Sequence, residues 1–528
     1  MKHRNTHIVD LPPGIDRPAL CLTPALGRTD ASAAIAMPRA TFLLSLTLLL
    51  SACAVGPDYV RPTIETPATF KEIDGWKRAQ PQDAVIGTNW WQIYGDPLLD
   101  SLESQVSISN QTLAQAEARY RQARALVQGA RAGLLPTIGA NLSSTRSRAS
   151  GSGSQSAQVV TNPTTGATTT TTGGGGAGPT NSNRLTLDAS WEVDLWGRVS
   201  RSIEADRASA QASASDLQAA RLSAQAQLAQ SYFGLRSLDT QQQLLERTLV
   251  DYQRSVQLTQ NQYDAGIIAK SNLILAQTQL KSTQAQALDL GVQRAQLEHA
   301  IALLIGQAPA GFSISHAQLA AIVPIIPVSL PSELLERRPD IAAAERRVEA
   351  ANAEIGVAKA AYFPRLTLSA SGGAQSSTLG NLLSLPNRFW SLGPQLAASL
   401  FDGGLRRAQV EQATAAYDAT VAAYRQTVLN SFVEVEDNLA ALRILEQEAA
   451  VQDEALQLAR RSVELANNQY KAGIVNYLNV IQVQATALSS ERTALDVLNR
   501  RLAASVLLVK ALGGGWNASA LPLASSLK

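Results

Sequence analysis

The chain has 528 residues, a formal net charge of +2 and a hydrophobic fraction of 45%. Its charge is near neutral and no basic run is concentrated, so nucleic acid is excluded as an expected partner. Two cysteines allow at most one disulfide. His299 and His316 are isolated in the sequence, so we predict no metal cluster, no Cys/His nucleophile, no cofactor and no enzymatic activity.

The N-terminus has the pattern of a secretion signal. Arg39 precedes an apolar run whose core is Phe42–Leu50, too short for the ~20 residues of a membrane-spanning helix. The run ends in Leu50-Ser51-Ala52-Cys53, which resembles a bacterial lipobox, where the signal is cut before the cysteine and the thiol is acylated. We therefore predict a signal peptide over residues 1–52 and lipidation of Cys53. A start at Met37 would give a signal of ordinary length, so residues 1–36 are interpreted as an over-extended gene prediction or a long n-region.

The first part of the mature chain alternates between extended and helical patterns. Prolines follow Cys53 closely, which predicts an extended leader over residues 53–86. Asp96 and Pro97 suit the start of a helix that runs to about Gly133. Residues 138–142 and 185–193 alternate apolar and polar side chains, which predicts two strands. The Ser-, Gly- and Thr-rich segment between them, from about 147 to 183, predicts a flexible exposed loop.

One stretch occurs twice and organises the rest of the chain. It reads Asn261–Ile268 in the first half and Asn468–Val475 in the second, and its glycines, Gly266 and Gly473, lie 207 positions apart. Before each glycine, small or apolar residues recur in heptad steps, the pattern of a coiled-coil seam. The glycine suits the left-handed position that ends a helix. Each copy therefore predicts a long helical hairpin with glycine at its tip, the first with a helix over about 199–263 and a return helix to about 304.

The second half repeats the order of the first. A connector rich in proline leads to a helix that ends near residue 361, strands at about 366–370 and 389–401, a second long helix, and a return helix to about 512. We predict a first repeat over 87–312, a linker over 313–330, a second repeat over 331–512, and a tail over 513–528.

Four strands cannot close a barrel, although a sheet that spans lipid must close. Strands of about ten residues suit an outer membrane, and three copies of the chain would supply 12 strands, an even number in the range of such barrels. Trp191, Phe389 and Trp390 suit its aromatic girdles, although ordinary packing explains any one of them equally well. The predicted fold is an α+β membrane protein with two structural repeats, in which long antiparallel coiled-coil hairpins adjoin four strands per chain.

The order of these motifs resembles the TolC-like outer-membrane efflux family, in its lipoprotein (NodT/OprM-like) branch. The matching features span nearly all of the mature chain; they are Cys53, residues 55–59 with Pro62, the region 91–98, Arg338-Pro339-Asp340-Ile341, residues 350–356, Phe363-Pro364 and the two tips. The resemblance implies a homotrimer with a trimeric 12-stranded barrel and a periplasmic helical tunnel. It also implies a lipid anchor in the outer membrane of a Gram-negative bacterium, a periplasmic membrane-fusion adaptor, and an inner-membrane transporter of the resistance-nodulation-division (RND) type.

In that family the tips meet the adaptor and form the periplasmic gate. The residues that match the tip pattern are Tyr263, Gly266, Leu273, Ala276 and Gln277 in the first copy and Tyr470, Gly473, Leu478 and Gln484 in the second. Many relatives carry an acid two positions after the second tip glycine, where this chain has Val475. Asp264 on the first tip is then the nearest acid and the gate candidate, although a solvated surface charge is the commoner role for such a residue.

We predict a passive exit duct for small molecules in a tripartite efflux pump. Two alternatives remain at this point. One is a coiled-coil envelope lipoprotein without transport, which would leave the paired strands without a purpose. The other is the exit duct of a type I secretion system.

Overall fold

The computed structural model describes residues 54–73, 89–148, 158–161, 168–171, 179–319, 322–328, 331–522 and 526. The chain divides into two units, Met1–Ala52 and Cys53–Lys528. The first unit and Cys53 lie outside the described residues, and with them the predicted signal peptide and lipidation site. Among the helices of the described ranges, none is both long enough and apolar enough to cross a bilayer.

The second unit is mostly helical. Its α-helices are α1 (Pro97–Ser109), α2 (Gln111–Ala132), α3 (Arg198–Asp264), α4 (Lys270–Leu304), α5 (Leu334–Arg337), α6 (Pro339–Ala360), α7 (Leu405–Lys471) and α8 (Tyr477–Ala511). Its strands are β1 (Thr137–Ser147), β2 (Gln158–Thr161), β3 (Thr168–Thr171), β4 (Thr180–Val193), β5 (Arg365–Ser376) and β6 (Arg388–Ala397). Short 3-10 turns include Lys71–Ile73, Trp90–Tyr94 and Pro331–Glu333.

The predicted first helix is wrong in one respect, because it is two helices. Asn110 ends α1 in an extended conformation and its side chain accepts a hydrogen bond from the Leu113 amide at 3.0 Å, which caps α2. The same side chain donates to the Leu304 carbonyl at 2.7 Å. The break therefore allows one asparagine to cap α2 and to bind the end of α4.

The predicted unstructured loop between the first two strands is also partly wrong. β1 extends to Ser147, β4 begins at Thr180, and β2 pairs with β3 antiparallel between them. The sequence there is rich in Thr and Val, which favour strands over loops. The low-complexity composition concealed this preference.

The main sheet has the order β1-β4-β5-β6, with every neighbouring pair antiparallel. Its register aligns the apolar residues of all four strands on one face; examples are Ile138, Leu187, Leu368 and Leu392. The opposite face carries Ser, Thr, Asn and Gln with Asp188 and Glu192. In the described chain, β1 and β6 each have one strand neighbour, so each leaves one edge unpaired.

The aromatic residues of the sheet divide between the two faces. Trp191 and Trp390 lie on the apolar face, and Trp390 is strongly exposed. Phe389 pairs with Gly373 and lies on the polar face, where the Arg184 guanidinium is 4.9 Å from its ring centroid. A girdle position for Phe389 is therefore wrong, since adjacent strand residues point to opposite faces.

The two long hairpins have equal dimensions. α3 and α7 each have 67 residues, about 100 Å at 1.5 Å per residue, and α4 and α8 each have 35. α3 packs against α4 and α8, and α8 packs against α7. The side-by-side order is thus α4-α3-α8-α7.

The largest apolar core lies in the body, where α1, α3, α6, α7 and the end of α8 meet around Trp90, Tyr232, Phe233 and Tyr424. A buried ionic cluster joins this body to the connector after α4. Asp239 is fully buried and accepts from Arg236 at 3.0 Å and Arg294 at 2.7 Å. His316 of the connector reaches the same carboxylate at 3.0 Å. These contacts fix the connector to α3 and α4.

The leader is held along the body by polar contacts, as far as residue 73. The Val55 amide donates to the Trp196 carbonyl at 3.0 Å, and Asp58 pairs with Arg201 at 2.9 Å. Asn352 of α6 donates to the Pro57 carbonyl at 3.0 Å. The first residues after Cys53 are therefore fixed at the junction of β4 and α3.

One carboxylate in the core has no partner. Glu103 of α1 is fully buried, and neither of its oxygens has a hydrogen-bond partner in the described structure. Burial, with a smaller contribution from the charge of Asp100, raises the pKa of Glu103 to about 9. The side chain is therefore neutral in the folded protein at neutral pH and ionised in the unfolded chain.

The substitution Glu103→Gln should remove a pH dependence of stability. Between pH 4.5 and 9 the folded chain binds one proton more than the unfolded chain at this site, so stability falls as pH rises through that window. At pH 7 the raised pKa of Glu103 lowers the free energy of unfolding by about 3 kcal/mol. We expect the variant to match the parent near pH 4.5 and to unfold at a higher temperature at pH 8, measured by circular dichroism.

The matched control is Glu117→Gln on the exposed face of α2, which should change neither value. An equal unfolding temperature for the Glu103→Gln variant and the parent at pH 8 would contradict the assignment.

Candidate functional site

The hairpin tips end in the same turn, built from the same residue types. Gly266 has φ +73° and Gly473 has φ +74°, a left-handed conformation that favours glycine. The Gly266 amide donates to the Tyr263 carbonyl and the Ile267 amide to the Gln262 carbonyl, both at 2.8 Å. The second tip repeats both bonds one-for-one. This pair of bonds is the Schellman motif, which satisfies the last carbonyls of a helix and reverses the chain.

The two tip tyrosines have different surroundings despite their equivalent positions. The Tyr470 hydroxyl donates to Gln262 Oε1 at 2.6 Å, and this bond joins the second hairpin to the first. The Tyr470 ring lies 5.5 Å from the ring of Tyr477, and burial raises the pKa of both hydroxyls. Tyr263 is 37% exposed. Of the two tip tyrosines, Tyr470 is the one whose hydroxyl forms a hydrogen bond between the hairpins in the described structure.

Four of the predicted tip residues contribute to the packing between or within the hairpins. Ala276 lies in a small buried cluster with Ala466, Tyr477 and Val480, against which Tyr470 packs. Leu273 is buried on α4. Gln484 is partly buried, and its Oε1 has no partner in the described structure.

The other predicted tip residues are exposed: Tyr263, Gly266, Gln277, Gly473 and Leu478. Asp264 is exposed too, and Gln260 of its own helix donates to it at 2.9 Å. The structure thus separates the predicted set into a packed group and a solvent-facing group. Gln262 and Tyr477 are not among the predicted site residues. A glutamine in a Gln-rich helix gives no sequence signal that it contacts the other hairpin.

A cleft of about 720 Å³ lies next to the tips, between α3, α7 and α8. Its apolar wall includes Leu258, Val463 and Val480, and Tyr470 and Gln484 also face it. Four cations line it, namely Arg247, Arg254, Arg460 and Lys471, and two anions, Asp251 and Glu491. Each anion is paired with one of the arginines, at 3.4 and 2.7 Å. The cleft therefore has an excess of positive charge over an apolar wall.

Within the described residues no group of His, Cys, Asp and Glu side chains could hold a metal ion. His299 is exposed on α4, and His316 contacts Asp239 in the ionic cluster of the body. The two histidines therefore have separate surroundings.

Each repeat has two strands of the sheet and one long hairpin, and the two hairpins end in matching tips. This architecture defines an outer-membrane channel subunit. The model of the family described as outer membrane efflux protein matches residues 102–307 and 330–514. The chain belongs to this family, and it is an outer-membrane efflux protein.

Two relatives and one solved structure illustrate the similarity. The pyoverdine export outer membrane protein OpmQ of Pseudomonas aeruginosa is 31% identical, over 91% of this chain and 98% of the relative. Outer membrane protein OprJ of the same organism is 32% identical, over 90% of this chain and 95% of its own length. The structure of the outer-membrane channel OprN aligns with a TM-score of 0.78 at 30% identity, over 88% of this chain and 100% of that chain. The fold is that of the TolC-like channels.

Proposed function

We propose that this protein is the exit duct of a tripartite efflux pump, through which small molecules pass passively from the periplasm to the outside. The observation that carries the proposal is that each repeat joins two sheet strands to one long hairpin. A lipid-spanning sheet and a helical passage beneath it then come from the same chain. Energy for transport would come from the inner-membrane transporter, and the chain needs no catalytic residue.

The sheet supports a homotrimer. An unpaired edge strand cannot remain in hydrocarbon, because its backbone groups would lack hydrogen-bond partners. The edge of β1 belongs to the first repeat and the edge of β6 to the second. Pairing β6 of one copy with β1 of the next therefore closes a ring head to tail. Three copies give a barrel of 12 strands with the apolar face toward lipid.

The helices support the same closure. In the described chain α4 and α7 lie at the two ends of the order α4-α3-α8-α7, so each has another hairpin helix on one side only. α7 exposes four apolar side chains at heptad spacing: Ile444, Val451, Leu458 and Leu465. α4 exposes Ile274, Leu288 and Val292. These stripes would pack against each other between copies, as in a coiled coil, and would complete a tunnel below the barrel.

We also propose that the tips close this tunnel, with the Tyr470–Gln262 bond as one of the contacts that hold the two hairpins of each chain together. Asp264 is a second gate candidate, since its side chain projects from the first tip into solvent. A net gain of about 1 kcal/mol for each hydrogen bond would favour the closed trimer by about 3 kcal/mol if all three bonds open together.

The tips would also be the docking site for the partner proteins. We propose that a periplasmic membrane-fusion adaptor docks on the exposed tip residues and in the cleft between the hairpins, and links the duct to an RND transporter. The apolar wall and the excess of positive charge suit an amphipathic helix that carries acidic side chains.

A lipid anchor at Cys53 completes the proposal. The contacts of Val55 and Asp58 hold the leader at the base of the sheet, where acyl chains on the preceding cysteine would enter the membrane. Mass spectrometry of the mature N-terminus should find an acylated Cys53. An unmodified thiol there, or a chain that retains residues before it, would contradict the anchor.

The substitution Tyr470→Phe should open the duct. It removes the bridging hydroxyl and keeps the ring, so we expect a severalfold higher conductance than that of the parent protein in a planar bilayer. The matched control is Tyr263→Phe, at the equivalent position of the other tip, which should leave the conductance unchanged.

Asp264→Ala belongs in the same series, and an increase in conductance there would add Asp264 to the constriction. Parent-like conductance of the Tyr470→Phe variant would contradict the gate, and well-folded trimers that never conduct in any variant would favour the structural lipoprotein.

The substitution Leu458→Asp should prevent trimer formation. It places a charge in the middle of the α7 stripe, where desolvation would cost several kcal/mol. Light scattering in detergent should show the mass of one chain in place of three. Gln457→Asp introduces the same charge one position away, off the stripe, and should leave the trimer intact. A trimeric Leu458→Asp variant would show that this stripe lies outside the interface.

The substitution Leu258→Cys provides a test of adaptor docking. The residue faces the cleft and is exposed, and a benzophenone maleimide on the new thiol should crosslink the adaptor on illumination. Leu126→Cys is the matched control. Leu126 is an exposed leucine on α2, and the same label there should give no crosslink to the adaptor. Crosslinking from Leu126→Cys alone would move the docking site away from the tips.

A further inference from the structure

A second, smaller cavity lies in the body, far along α3 from the tips. Its volume is about 240 Å³, and it lies where α1, α3 and the segment after α8 meet. We call it the Arg221 pocket; its walls include Trp91, Gln218, Arg221, Gln225, Gly514 and Trp516. None of the described residues that line it is an Asp or a Glu.

The polar side chains of the pocket lack partners. Arg221 forms no ion pair or hydrogen bond in the described structure, and its Nε is shielded from solvent. Gln225 is only 4% exposed and also forms no hydrogen bond with the described protein. Buried polar groups are normally hydrogen-bonded, since desolvation without a partner is unfavourable. A cation and an amide that both face one cavity without partners therefore indicate a ligand with acceptor oxygens.

The chain is shaped to build this cavity. Gly514 has φ +55°, and a Cβ there would lie 2.2 Å from the Leu222 side chain, so a larger residue would be strained and would displace Leu222. The tight turn after α8 brings Trp516 to the same cavity as Trp91. Aromatic side chains in the wall suit a planar ligand.

We propose that the Arg221 pocket binds a small organic carboxylate. The guanidinium presents parallel N–H donors that match the two oxygens of a carboxylate, and the Gln225 amide adds a further donor. The volume lies below the ~300–1,000 Å³ of drug-sized sites, so the ligand is about the size of benzoate or of a terminal amino acid. Two sources share this chemistry: free aromatic acids, and the carboxyl end of a cell-wall peptide.

The test is a titration of the purified full-length mature protein in detergent, followed by isothermal calorimetry. The probes are benzoate and N-acetyl-D-alanyl-D-alanine, each compared with its own amide, benzamide and N-acetyl-D-alanyl-D-alaninamide. We expect at least one acid to bind and its amide to bind about tenfold more weakly or worse, because hydrogen bonds to a charged group are the stronger ones. Binding of benzoate alone would identify free acids as the source, and binding of the peptide alone would identify the cell wall.

Variants locate the binding. Arg221→Gln should weaken the acid at least tenfold, and Arg221→Lys should weaken it less, since the charge stays and the paired geometry is lost. Arg119→Gln, at an exposed arginine of α2, should bind as the parent does. Equal affinity for acid and amide, parent-like binding by Arg221→Gln, or no binding of either acid at millimolar concentration would overturn the proposal. Neither conductance nor trimer mass enters this test, so its result is independent of the exit-duct proposal.

Discussion

The backbone groups along the outer edges of β1 and β6 have no partner strand in the described chain, and the sheet that they bound has one apolar face. In water such a sheet would aggregate through its edges, and in lipid it would leave polar groups unsatisfied. The helices are subject to a similar constraint, since α4 and α7, the outer members of the order α4-α3-α8-α7, expose apolar side chains. The closed ring of copies proposed above would cover these side chains and pair the open strand edges at once.

The periodic parts of this fold could be predicted from the sequence because their causes are local. Heptad spacing and a glycine stop specify a hairpin wherever they occur, and both tips have the predicted turn. The break at Asn110 was not predictable in this way, since it depends on the end of α4, far away in the sequence. The face of Phe389 was missed for a related reason: its register depends on pairing with β5, and a shift of one residue moves a side chain to the other face.

The candidate site was predictable in position and less so in detail. Tyr263 and Tyr470 are interchangeable in the repeat, and nothing local shows that only Tyr470 bonds to the other hairpin. The motif Arg338-Pro339-Asp340-Ile341 supports the family resemblance, although the sequence alone does not show what the motif does. In the structure Arg338 is buried and joins Asp340, Glu434 and the Ala511 carbonyl, so it ties α6 to α7 and to the end of α8. Motifs of this kind are recognisable in a sequence, although their contacts follow only from the assembled fold.

The distribution of apolar burial suits a duct that opens at one end. The body holds one large core and the Asp239 cluster, whereas the tips rest on a buried cluster of four residues, three of them small or β-branched. Local opening free energies are lowest where few apolar contacts must be broken. In the proposed duct the tips would therefore separate while the body and the sheet stay folded, and a single hydrogen bond such as that of Tyr470 would be enough to set which state is favoured. A stronger bond between the hairpins would make the duct harder for an adaptor to open, because a partner can shift an equilibrium only by its differential affinity for the two states.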